Sequence, residues 1–414
     1  MEEKTNKSKI IIIVFSLIIV GLIVGVVILL NNRKLTPDEQ VKKPDNSGEV
    51  TQNYDVNIEY DLNFDFLKME YDKKNIVYSP LSIKLGLGLL REGADGDTLD
   101  QFNKVLDNNI YKVSYVDKKI GISNAVFLQK DLKKEVLDSY FKSLDSKYSA
   151  EILYDDFVSI DKVNDYVKEK TFDMIPKLFN NLQSDLVLVN ALAIDLDWSY
   201  PFDESNSHYD KFYGVKEKNA RYMSDTFKNN KNIKYYQDDK LSMVSLPLKN
   251  VNEANLEYIV IMPDNLDDYV SKLTLSSYSS DIDKLVSADK KNIKVLMPKF
   301  KFNYTLNFES DLVKLGLTDM FDSNKANFDR IIPGGGLYID EAVHKAVIEV
   351  SETGVKAAAA TGFSTKNSVA IEDEYDALIK IDKPFIVIIR DKDTKDIWFV
   401  SSVYDPVAGD EDES

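Results

Sequence analysis

The chain has 414 residues, 44% of them hydrophobic and 29% charged, and its 23 Tyr and 20 Phe supply enough apolar mass for a large core, so disorder is excluded except at the ends. A formal net charge of −17 disfavours non-specific attraction to nucleic acid or anionic lipid, and no nucleic-acid partner is expected. With no Cys and only His208 and His344, the sequence excludes disulfides, thiolate metal sites, a cysteine nucleophile and a histidine-rich zinc site, and any Ser-His-Asp triad would have to use one of those two rings.

Residues 1–9 read as a short cytoplasmic tail. From Ile10 to Leu30 the sequence carries no charge, and at ~1.5 Å per residue such a run spans the ~30 Å hydrocarbon core, the expectation for a single-pass anchor. The alternative is a cleaved signal peptide, whose apolar region is shorter and ends at small residues; this run ends ILLNNRK. Lys4, Lys7 and Lys9 on one side balance Arg33, Lys34, Lys42 and Lys43 on the other and barely orient it. Residues 31–55, with Pro37 and Pro44, read as a polar linker, and residues 407–414 as an acidic tail. Between them, 56–406 shows no internal repeat and no break, so one domain is expected.

Within that domain, Pro80 and Ser82 open an apolar-periodic stretch to Leu90, and Asp161 to Phe179 repeats Val163, Tyr166, Val167 and Phe172 at helical spacing. Leu186 to Leu196, LVLVNALAIDL, is nearly continuous apolar sequence, the pattern of a strand buried on both faces. Tyr258 to Met262, Val295 to Met297, Pro384 to Ile389 and Ile397 to Val403 are strand-like as well, which makes the composition α+β.

The segment from Gly354 to Ile371, GVKAAAATGFSTKNSVAI, reads either as a helix, because Ala is the best helix former, or as a latent strand. Its Ala run is only four residues long and lies between Gly354 and Gly362, whereas isolated helices need ~12 to 15 residues to be marginal. As a strand, one face carries Val355, Ala357, Ala359, Thr361, Phe363, Thr365 and Asn367, all uncharged, while Lys356 and Lys366 share the other. No Pro interrupts it before Pro384, so every amide can join a ladder.

NIVYSPLSI (from Asn75) with GADGDT, LVNALAIDLDWSYPF (from Leu188), MPKFKF with LGLTDMF, HKAVIEVSETGVKAAAAT (from His344) and DKPFIVIIRD (from Asp382) occur in one order along residues 56–406. Together they resemble the serpins, in a bacterial-type, membrane-anchored form. The resemblance implies a large central β-sheet with two further sheets, about nine helices and an exposed reactive centre loop. It also implies a single-use inhibitor of serine endopeptidases, extending to cysteine ones, with no cofactor and no turnover, working as a monomer. Sheet-opening roles fall by resemblance on Ser79, Ser82, Asn190, Trp198 and His344. The hinge falls on Glu352, Gly354, Val355, Ala357, Ala358, Ala359, Ala360 and Thr361. Val355 stands where the family usually has Thr or Ser, and Lys356 where it usually has Glu.

The family's spacing from the hinge glycine puts the reactive bond at Ser368–Val369, with Lys366 and Ala370 as alternatives. Counting back from the distal Pro384 leads instead to Asp373. The hinge count is preferred, since the inserting length is mechanically constrained. A Ser-Val or Val-Ala bond suits an elastase-like or subtilisin-like protease, and Lys366 a trypsin-like pocket with an acidic floor. The expected location is the cell membrane, with the domain extracellular. The competing function is a serpin without inhibition, acting as a surface binding or adhesion module; a hydrolase is disfavoured because no G-x-S-x-G or metal spacing is present.

Overall fold

The computed structural model describes residues 54–109, 113, 116, 118–148, 150–180, 185–288, 292–340, 342–356 and 374–408. Among them are eight α-helices and seventeen strands. A six-stranded antiparallel sheet carries most of the interior. Its strands Leu241–Pro247, Leu256–Pro263, Phe385–Asp391 and Ile397–Val403 are buried throughout, as their near-continuous apolar sequence requires. A four-stranded sheet runs in the order Ala377–Lys380, Asn292–Pro298, Glu217–Lys228, His208–Tyr213.

The remaining strands form two sheets, one of three strands and one of four, that meet edge to edge along a seam. On one side Glu151–Asp155, Ile120–Gln129 and Leu186–Ile194 are laddered together. On the other, Phe300–Thr305 pairs with Lys345–Val350. Val347 packs against the apolar cluster that holds Val187 and Val189, so the halves touch through side chains. Among the described residues no ladder joins Leu186–Ile194 to Lys345–Val350. The exception lies at one end, where the three-residue strand Gly354–Lys356 sits between Lys345–Val350 and Leu196–Asp197, antiparallel to both.

The helix Pro80–Gly93 runs beneath the seam. Ser79 caps it by accepting the Ser82 amide at 3.1 Å, and Pro80 occupies its first position, where a missing N–H costs nothing. All its residues but Lys84 are buried. Gly86 and Gly88 cost such a helix about 1 kcal/mol each relative to Ala, and they allow close approach. A Cβ on Gly86 would stand 3.0 Å from the Asn190 Cβ, and one on Gly88 would stand 2.7 Å from the Tyr148 ring.

The helix expected over Asp161 to Phe179 stops at Lys170. Phe172 and Asp173 adopt positive φ, 57° and 65°, which breaks the helix. The Asn164 carboxamide then captures the chain, accepting from the Leu178 and Phe179 amides and donating to the Phe179 carbonyl. Strands Ile120–Gln129 and Glu151–Asp155 lie in a half that reads as helical from its sequence.

The single-pass, cell-membrane placement is corrected. Among the described residues no helix is long and apolar enough to cross a membrane; the longest has 14 residues, and crossing takes about 20. Residues 10–30 lie outside the described residues.

Candidate sheet-opening and hinge site

Two clusters flank the seam. The inner one lies where helix Pro80–Gly93 meets the sheet. The ring of His344, the residue before strand Lys345–Val350, accepts the Ser79 amide at Nε2, 3.1 Å away. Ser82 Oγ donates to Asn190 Oδ1 in a short hydrogen bond. Asn190 faces Asn124 across the Ile120–Gln129 ladder and donates to it at 3.4 Å; Asn124 in turn donates to the Tyr148 carbonyl at 3.2 Å. Ser79, Ser82, Asn190 and His344 are all buried. Burial pushes the His344 imidazole down to about 3, so it is neutral across the physiological range, as an acceptor of a backbone amide must be. The cluster thus spans the seam with neutral hydrogen bonds, Asn190 from one half and His344 from the other. A small crevice between them is lined by Gly86, Leu188, Asn190, Ala342, Val343 and His344.

The outer cluster holds the turn that leads into Gly354–Lys356. Trp198, fully buried, donates its indole N–H to the Ser351 carbonyl at 2.8 Å and its amide to the Thr353 carbonyl at 2.9 Å. The Phe202 amide donates to the Glu352 carbonyl at 3.0 Å. Edge-to-face contacts with Phe202 and Tyr258 fix the indole. Glu352 is buried, with Ser207 Oγ donating to it at 2.6 Å and Lys299 Nζ at 3.0 Å. Burial opposes its ionisation, yet the Ser207 hydroxyl, its own backbone amide and the Lys299 ammonium together hold the carboxyl below its ordinary range.

Gly354 follows at a place only glycine fits. A Cβ there would stand 2.2 Å from the Leu196 carbonyl oxygen and 2.7 Å from Asp197 Cα. Val355 is buried, opposite Val350 on one side and Leu196 on the other. Ala357, Ala358, Ala359, Ala360, Thr361, Lys366, Ser368, Val369 and Ala370 lie outside the described residues.

Of the contacts at Glu352, Lys299 is legible in hindsight from its place in MPKFKF, next to the strand that pairs with Lys345–Val350. Ser207 and Asn124 carry no signal in the sequence; each is brought in only by the fold.

Truncation of Glu352 should destabilise the chain, because a buried ion pair broken from one side leaves the other charge and its donors uncompensated. Glu352→Ala is expected to cost about 2–4 kcal/mol in a denaturant titration. The carboxyl's depressed value sets the sign with pH. Its contribution is present above the unfolded value of about 4.3 and is lost as pH falls through the lower folded value, so the gap between Glu352→Ala and the natural chain should close in acid.

The fold is thus α+β, with a seam between two groups of strands, the strand Gly354–Lys356 seated at one end of it and a buried polar cluster alongside. The chain belongs to the serpin family: the family profile described as Serpin (serine protease inhibitor) matches residues 59–406. It is 28% identical over 365 residues to alpha-1-antichymotrypsin from Homo sapiens, covering 82% of this chain and 84% of that protein. The native structure of tengpin, a thermophilic serpin, superposes with a TM-score of 0.67 at 26% identity, over 83% of this chain and 92% of tengpin. Thyroxine-binding globulin in complex with thyroxine gives a TM-score of 0.69 at 22% identity, over 84% of this chain and 97% of that one, a likeness of fold. Many members of the family inhibit serine proteases and some, such as thyroxine-binding globulin, do not; the family's members are not in general enzymes.

Proposed function

We propose that the chain is a suicide-type inhibitor of serine endopeptidases, extending to cysteine ones, that traps its target as an acyl-enzyme by inserting its own cleaved loop. The observation that carries this reading is the seating of Gly354–Lys356 between Lys345–Val350 and Leu196–Asp197. Gly354–Lys356 pairs with both neighbours at one end, and among the described residues no ladder joins Leu186–Ile194 to Lys345–Val350. The uncharged alternate positions from Val355 to Asn367 are those that would face inward.

In the proposed reaction the protease's catalytic serine attacks the Ser368 carbonyl, the bond to Val369 breaks, and the new amine leaves with Val369 while the acyl group stays on the enzyme. The freed strand then enters the seam, a β-strand addition that releases stored strain. The acylated protease is dragged along and its site distorted. Displacing reacting groups by ~1 Å costs on the order of a hundredfold in rate, and losing an oxyanion-hole donor costs ~10² to 10³ more. Deacylation stalls. The small residues around Ser368 suit an elastase-like or subtilisin-like target. Glu352, Gly354 and Trp198 would govern entry at the hinge, and Ser79, Ser82, Asn190 and His344 the parting of the sheet.

Incubation with a panel of elastase-like, subtilisin-like and trypsin-like proteases should give an SDS-stable band of protease plus chain with the first two. Sequencing the released C-terminal fragment should read from Val369. Cleavage of the loop with no covalent band across the panel would overturn the reading in favour of a non-inhibitory binding or adhesion module.

A further inference from the structure

A second buried polar cluster lies outside the hinge and the seam. Glu70, the last residue of helix Asp65–Glu70, is buried and accepts from Tyr304 Oη at 2.6 Å, the Asn307 amide at 2.8 Å and the Asn307 carboxamide at 3.2 Å, with Lys74 Nζ at 3.5 Å. Asp311, in helix Phe308–Lys314, is 1% exposed. Its Oδ1 takes the Lys314 ammonium at 2.9 Å, while its buried Oδ2 has no conventional donor. Asn307 joins the two, its amide donating to Glu70 and its carbonyl accepting the Asp311 amide at 2.9 Å, and the two carboxyls lie close enough for each to perturb the ionisation of the other. Two carboxylates cannot share a hydrogen bond without a proton between them, and like charges held this close cannot both ionise cheaply.

We propose that Asp311 retains its proton in the folded chain and donates it through Oδ2 to ionised Glu70, making the pair a proton-operated clasp between helix Asp65–Glu70 and residues 300–314. The surroundings fix which partner keeps the proton. Tyr304, Asn307 and Lys74 all converge on Glu70, whereas among the described residues the ion pair of Asp311 is with Lys314. Although burial opposes ionisation at both, these donors, Tyr304 first, hold Glu70 below the ordinary range; burial first and then Glu70 push Asp311 above it. Phe308, three residues before Asp311 in the same helix, has its ring 5.7 Å from Phe66 and 5.8 Å from His344. The clasp therefore braces the strand Phe300–Thr305, and with it one side of the seam, against helix Asp65–Glu70. An effect on sheet opening would rest on the loop-insertion reading; the proton itself does not.

The sign with pH is set by the two carboxyls. Glu70 contributes stability above its unfolded value that is lost as pH falls through its lower folded one. Asp311's contribution is fully present below about pH 4 and is lost as pH rises through its raised folded value. Asp311→Asn keeps a donor toward Glu70 and cannot titrate. Thermal midpoints of the natural chain and Asp311→Asn, measured at matched scan rate, should separate as pH rises from about 4, in favour of the variant, by roughly 2 °C per pH unit until Asp311 ionises, and then run parallel. An infrared band of a protonated carboxyl should persist in the natural chain after ordinary carboxyls have ionised and be missing in Asp311→Asn. Glu70→Gln, which can donate to an ionised Asp311, should also abolish that band, and it serves if Asp311→Asn does not fold. A midpoint difference that stays constant with pH, or a band unchanged in either folded variant, would overturn the clasp.

Discussion

Cutting the chain between Thr365 and Asp373 should raise its thermal midpoint by more than ~10 °C. Among the described residues no ladder joins Leu186–Ile194 to Lys345–Val350, and Gly354–Lys356 pairs at one end of the seam between them. A dozen further rungs would each contribute about 0.5–1.5 kcal/mol net, and the uncharged face from Val355 onward would add apolar burial. A gain near 10 kcal/mol, divided by an unfolding entropy of about 2.1 cal/mol/K per residue over this domain, corresponds to roughly 10–15 °C. Calorimetry of the intact chain and of chain nicked by a non-target protease makes the comparison. Equal midpoints would show that the cut strand stays outside the sheet, and the inhibitory reading would fail with it.

The second large effect is expected at Gly354. In Gly354→Val the new Cβ meets the Leu196 carbonyl oxygen and Asp197 Cα, both backbone atoms that cannot swing aside. The strand Gly354–Lys356 then has to leave its place, giving up its pairs with Leu196 and Asp197 and the burial of Val355. The turn before it remains held by Trp198 and Phe202, so the rest of the fold should survive. Insertion would start without its first rungs, and only ~1.4 kcal/mol on that barrier is a tenfold delay, enough for deacylation to win. The captured fraction of a target protease should fall at least tenfold while loop cleavage continues. Full capture by Gly354→Val would show that the seated hinge has no part in insertion.

How much of this was legible beforehand depends on the range over which each contact acts. Leu186 to Leu196 announces a strand covered on both faces because its own residues leave no polar face, and the structure buries every position of Leu186–Ile194. Pro80 with Ser79 before it marks a helix start through purely local geometry. The end of the helix from Asp161 was not legible, since it is set by a carboxamide reaching fourteen residues along the chain and by positive φ at Phe172, a bulky residue that rarely adopts it. At the hinge, Trp198 and Gly354 stand out as residue types, but Ser207 meets Glu352 from 145 residues away, and Asn124 meets Asn190 from 66. The clasp is quieter still. Glu70 and Asp311 each sit among other acidic residues on short helices, and only the fold takes these two out of water together.

The grip of Trp198 and Phe202 on residues 351–353 turns the proposed insertion into a stroke of defined length. With the near end of the moving segment pinned, each residue that enters carries whatever is attached farther out by roughly 3.3 Å. From Val355 to Ser368 this is on the order of 40 Å, close to the width of a small protein domain, so a passenger bound at Ser368 would finish at the opposite pole. Deleting two adjacent residues of the Ala run would keep the same side chains facing inward while shortening the haul by ~7 Å, a ruler against which the damage done to the passenger can be graded.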